Sequence, residues 1–150
     1  MEKEFITSIN TLIERDLNKL EEEINLYPTE ESIWLIAGEI KNSGGNLCLH
    51  LCGNLQHFIG AILGKTGYTR NRENEFSAKH IPKTELLAEI NRTKEAVKST
   101  LQQVDPATLL HEYPVTVFKY TMNTMHFLIH LTAHLEYHLG QLNYHRRLLS

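Results

Sequence analysis

Nine histidines occur in the 150 residues, and five of them, His126, His130, His134, His138 and His145, lie close to the C-terminus. Neutral imidazole is a ligand for zinc, nickel and iron, so the first question is whether these side chains could chelate an ion. From His126 to His138 every step is four residues. On an ideal helix His130, His138, Gln141 and His145 fall about −40°, +40°, −20° and +20° from His134. They make one polar stripe beside Leu131, Leu135, Leu142 and Leu149, and a polar stripe next to leucines points toward a helical interior.

The stripe cannot act on one ion as a whole. His130 and His138 are about 12 Å apart along the axis, whereas a ligating nitrogen sits about 2 Å from its metal. Only neighbours four apart converge, which leaves His126/His130, His130/His134 and His134/His138 as candidate pairs. A single-ion site then needs a ligand from another helix. His50 and His57 are the donors at hand, and at about 10.5 Å apart only one of them can join a given ion. Asn46 and Asn54 flank His50 on its own face. Cys48 and Cys52 lie about 160° around that helix and read as small buried hydrophobes.

Positioning such groups requires helices, and the sequence supplies the pattern for four. Phe5, Ile9, Leu12, Ile13, Leu17, Leu20 and Ile24 recur at helical steps until Pro28. Thr29 is placed to cap a short helix through Ser32, Trp34 and Ile36. Gly44 and Gly45 break the chain, and a second long helix is expected over about residues 46–63, stopping at Gly64. Residues 65–82, KTGYTRNRENEFSAKHIP, show no period and read as a long connection, of the kind that is usually functional or mobile. A third helix is expected over about residues 83–104, ending before Asp105-Pro106. HEYPVTVFKYTMN is extended in character, with room for a short β excursion. The last helix covers about residues 123–149. The expectation is an all-α four-helix bundle in one domain, residues 1–150, whose long connection after the second helix departs from simple up-down-up-down topology.

Composition narrows the partners. The net charge is −3, and Arg70 and Arg72 are interleaved with Glu73 and Glu75, so nucleic acid is not expected. The start MEKEF carries no basic-then-apolar signal, and the uncharged stretch over residues 42–64 contains Asn46, His50, Asn54, Gln56 and His57. A cytoplasmic protein without membrane spans is expected. The bland role for Arg70 and Arg72 is pairing with Glu73 and Glu75 to pin their loop. The sharper one is clamping the carboxylate of an acidic thiol. The pairing is favoured. Glu136 is about 200° from His134 and no general base declares itself.

Two stretches resemble the DinB-like (YfiT-like) family of metal-binding four-helix bundles. HLEYHLGQLNYH is similar to that family's last-helix motif, two histidines four apart followed by Gly-Gln. NLCLHLCGNLQHFIGAILG followed by YTRNRENEF resembles one subgroup of unknown function, in which a His- and Gly-Asn-Leu-bearing helix leads into an Arg-Asn-Arg-acidic-x-Glu-Phe loop. The resemblance implies a bundle with a long crossover, often dimeric. It selects His134 and His138 as the ligand pair and His50 as the third ligand. It sets His57 aside and leaves His126, His130 and His145 to supporting, packing or surface roles. Gln141 and Asn54 are the candidates for groups that orient the ligands. Three neutral imidazoles leave coordination positions open, the pattern of a reactive site, and an ion there makes water or a thiol more acidic. The implied cofactors are a divalent metal (zinc, nickel or iron) and a low-molecular-weight thiol. The implied activity is metal-dependent thiol transfer or hydrolysis on a small molecule by a homodimer. The alternative is a non-catalytic bundle that binds metal for stability or sensing, or only dimerises.

Overall fold

The computed structural model describes residues 1–150, and every regular element in it is helical. Helix α1 spans Glu2–Leu26 and α2 spans Gly44–Leu55, which runs on as a π-helical segment, Gln56–Leu63. Helices α3, α4 and α5 span Arg72–Ser77, Lys83–Gln103 and Thr124–Leu149. Helical periodicity accounts for the long ones. Ile6, Ile9, Ile13, Leu17, Leu20 and Ile24 bury one face of α1, and Leu86, Ile90, Val97 and Leu101 bury one face of α4. Side-chain caps fix two of the starts. Ser43 Oγ accepts from Asn46 N at 3.1 Å, and Asn123 Oδ1 accepts from His126 N at 2.8 Å.

The four long helices enclose one core of 27 buried hydrophobic residues. Helix α1 packs on α4 and α5, and α2 packs on the same two, so α1 and α2 are diagonal. Cross-helix contacts give the directions. Arg15 meets Glu136 and Glu23 meets Asn143, so α1 and α5 are parallel. Glu21 meets Lys94 and Glu14 meets Lys98, so α1 and α4 are antiparallel. Gln56 meets Glu89 and Gly64 meets Thr100, so α2 and α4 run the same way. The order is up, down, down, up. Because α2 and α4 are parallel neighbours, the chain between them travels back along the bundle.

Three local expectations need correction. Gly44 and Gly45 open α2 rather than interrupt the chain. A Cβ on Gly44 would lie 2.2 Å from the Tyr27 hydroxyl, and one on Gly45 would lie 2.6 Å from the Trp34 ring. They are glycines because the connection from α1 presses against the helix start. The crossover is not structureless: it contains α3, whose first turn Asn71 caps by accepting from Asn74 N at 3.0 Å. The segment before α5 forms no strand, only an isolated bridge between Glu112 and Asn123. Thr29 does act as expected, accepting from Ser32 N at 3.1 Å, but the helix it starts is a single 3-10 turn, Glu31–Trp34. No helix is long and apolar enough to cross a membrane.

Candidate metal centre

Helices α2 and α5 pack antiparallel, and this brings His50 against the turn that carries His134 and His138. One ligand-type atom from each of these three residues lies within 4.8 Å of the others. His50 Nε2 is 3.2 Å from His134 Nε2. Two nitrogens on one tetrahedral ion with bonds of about 2.1 Å are about 3.4 Å apart, so the spacing suits shared coordination. His50 is 5% exposed, while His134 and His138 are half-buried. The group is therefore anchored in the core on one side and open toward solvent on the other.

The outward ring nitrogens show which tautomers are present. His50 Nδ1 lies 3.0 Å from Glu75 Oε1. A carboxylate only accepts, so His50 Nδ1 carries the proton and its Nε2 lone pair faces inward. Arg70 Nη2 is 3.4 Å from the same Nδ1, but both atoms are donors and that contact is no hydrogen bond. Arg70 instead grips Glu75 through two parallel bonds, Nε to Oε2 and Nη2 to Oε1, each 2.8 Å. His138 Nδ1 donates to Gln141 Oε1 at 2.7 Å, which leaves its Nε2 lone pair free. Carboxylate and amide partners of this kind hold ligating imidazoles in metal sites.

Electrostatics keep His134 and His138 neutral. Burial, then the nearby His138 and His50, push His134 down to about 4. Burial also lowers His138, against the opposing hydrogen bond to Gln141. Burial by itself would raise the Glu75 carboxyl, but the hydrogen bonds from His50 and Arg70 outweigh it and hold the group below the usual carboxylate range. At neutral pH His134 and His138 are therefore uncharged donors, and an ionised carboxylate stands behind His50. The donor set and its spacing fit a divalent ion.

Parts of the Gly-Asn-Leu and Arg-Asn-Arg motifs now have a place. A Cβ on Gly53 would lie 2.1 Å from Glu75 Oε2, so only glycine lets that carboxylate lie flat against α2. Asn46 Nδ2 ties the end of α3 to α2 through the carbonyls of Glu75 and Ala78, at 3.0 and 2.9 Å. The Phe76 ring packs on His50 with centroids 4.9 Å apart. Arg70–Glu75 pairing occurs as favoured, whereas Arg72 lies over the Phe76 ring instead of pairing with Glu73. Glu75 is the functional residue that periodicity missed. Asn71 ahead of Glu73 and Glu75 is a helix-start signature that pointed to α3.

The remaining candidates separate cleanly. Gln141 Oε1 accepts from His138 Nδ1. Asn54 is buried but bonds none of the three histidines, and its Oδ1 has no partner. His57 is half-buried beside Phe58, outside the cluster. His130 packs between Phe118 and Phe127. His145 is a core residue: its Nδ1 accepts from Tyr27 Oη at 2.6 Å and its Nε2 donates to Leu35 O at 2.7 Å. His126 is exposed. Cys48 and Cys52 are fully buried and unbridged, in keeping with packing roles. A cavity of about 480 Å3 touches Gln141 and His145 but none of the three clustered histidines, so it lies behind His138 and not over the cluster.

No curated protein and no solved structure matches the chain. One family matches it end to end, over residues 1–150, and on that match the chain belongs to the family described as Protein of unknown function (DUF1572).

Proposed function

We propose that the protein is a DinB-like divalent-metal protein that uses His50, His134 and His138 as ligands for thiol transfer or hydrolysis. One observation carries the reading: three imidazoles converge, two of them held from behind by Glu75 and Gln141, with one side open to solvent. A divalent ion bound there would supply Lewis-acid chemistry, making a water or a thiol more acidic near neutral pH. The chain's own contribution is to fix the imidazole tautomers and to bury His50 among Glu75, Arg70 and Phe76. It offers no thiol of its own to the site, because Cys48 and Cys52 face the core elsewhere on α2. A reacting thiol would therefore be a small molecule.

Untagged protein is expected to carry one zinc, nickel or iron ion per chain, and a His134→Ala/His138→Ala double variant none. Equal metal content in the two would sink the proposal. Titration of cobalt-loaded protein with low-molecular-weight thiols should then give a sulfur-to-cobalt absorption band.

A second reading, a metal-binding bundle without catalysis, has its own support. Glu75, the carboxylate against the cluster, is engaged by His50 and Arg70, and Glu136 faces away toward Arg15 of α1, so neither is a free base at the ligands. It predicts that metal raises the melting temperature while no thiol shows saturable binding. The resemblance also carries the expectation of a cytoplasmic homodimer, which sedimentation of the purified protein tests for assembly.

A further inference from the structure

Three buried side-chain polar atoms have no hydrogen-bond partner: Trp34 Nε1, Asn54 Oδ1 and His134 Nδ1. Two of the three belong to facing helices. The register of α2 on α5 is set by the close approach of His50 to His134 and by the ring contact of Phe58 with Phe127 at 5.1 Å. Asn54 lies one turn beyond His50 toward Phe58, so it faces the stretch of α5 between Phe127 and His134.

The tautomers show what partner His134 Nδ1 would need. Glu75 fixes the proton of His50 on Nδ1, so His50 Nε2 is an acceptor. The 3.2 Å contact between the two Nε2 atoms then requires a proton on His134 Nε2. His134 Nδ1 is left as a bare lone pair, and an amide oxygen cannot bond to it. Ligation through His134 Nε2 reverses this. The lone pair must then be on Nε2 and the proton on Nδ1, which creates a buried donor that needs an acceptor.

Resting on the metal reading above, we infer that Asn54 is the positioning residue for His134, its Oδ1 accepting the Nδ1 proton of the metal-bound tautomer. The terminal torsion of an asparagine is soft, so turning the amide costs little. The three histidines would then each have their own acceptor: Glu75 for His50, Gln141 for His138 and Asn54 for His134. The Gly-Asn pair at 53–54 serves both α2-side acceptors, the glycine by admitting Glu75 and the asparagine directly.

The test is zinc affinity by competition with a chromophoric chelator, for wild type, Asn54→Leu and Asn54→Asp. Asn54→Leu keeps the volume and removes the acceptor, and zinc is expected to bind about 10- to 100-fold more weakly. Asn54→Asp retains an acceptor and should bind zinc at least as tightly as wild type. Without metal, Asn54→Leu should melt no lower than wild type, because the oxygen it deletes bonds to nothing. Proton–nitrogen correlation spectra of the zinc-loaded wild type should show the His134 proton on Nδ1 in a hydrogen bond that Asn54→Leu abolishes. Wild-type zinc affinity in Asn54→Leu would overturn this inference alone. A wild-type protein that binds no zinc, nickel or iron would overturn it together with the metal reading.

Discussion

His50 and His138 each turn a protonated Nδ1 outward, but to different kinds of acceptor. Behind His50 stands a buried carboxylate, 5% exposed, which is itself locked by Arg70. Behind His138 stands Gln141, a neutral amide on an exposed face of the same helix. The α2 side is built from three chain segments that must arrive together, namely α2, the Arg70 turn and α3. The α5 side is built within one stretch of helix. The contrast teaches that the two sides of the centre differ in cost of failure: the α2 side is tied into the fold, whereas the α5 side is adjustable.

The largest expected effect tests that difference directly. Glu75→Ala leaves Arg70, partly buried, and His50 without their shared acceptor and should destabilise the metal-free protein by about 2–4 kcal/mol. Gln141→Ala removes an exposed hydrogen bond and should change stability by less than about 1 kcal/mol. Denaturant melts of the two variants measure this, and equal losses would erase the distinction between the sides. Next comes Gly53→Ala, whose new methyl must push the Glu75 carboxylate away and should cost about 1–3 kcal/mol. A crystal structure of that variant should show Glu75 withdrawn from His50, and an unmoved Glu75 would contradict the role given to Gly53.

The two sides should also respond to acid at different pH. The ordinary value of His134 is 6.5 and its folded value is about 4, so the unfolded chain takes up this proton first. The stability this group contributes is complete above about pH 6.5 and is lost as the pH falls toward 4. Glu75 is held below its ordinary 4.5, so its contribution is lost only as the pH falls below that value. Melting temperatures of the metal-free protein should therefore fall in two stages, and His134→Gln should flatten the first while leaving the second. The smallest effect concerns the other motif glycine. A Cβ on Gly140 would meet nothing within 4 Å. Gly140→Ala should stabilise the isolated chain by about 0.5–1 kcal/mol, the opposite sign to Gly53→Ala.

The same contrast governs how much could be read from residues alone. The α5 side is local, so helical spacing placed His134, His138 and Gln141 on one stripe. Helix ends were legible where a proline marks them, as before Asp105-Pro106. Spacing alone did not choose among the three histidine pairs, and the choice of His134 and His138 with His50 came from the family-like motifs. Glu75 was not legible as the partner of His50, because a six-residue helix is too short to show a period. The opening of α2 at Gly44 was missed for a related reason: the glycines there answer to Tyr27 and Trp34, which are remote in sequence. The burial of His145 likewise depends on Tyr27 and on the Leu35 carbonyl, neither of which its own helix reveals.

His134 and His138 occupy adjacent turns of one helix, but His50 is 84 residues from His134. An unfolded or half-folded chain can therefore offer the pair but not the trio, since bringing the third ligand in closes a long loop at an entropic cost. Any ion that needs all three would favour only those conformations in which α2 and α5 have docked in register. Occupancy of the centre would in that way act as a proofreading step for tertiary structure, reporting through two short helical turns whether the distant halves of the chain have met.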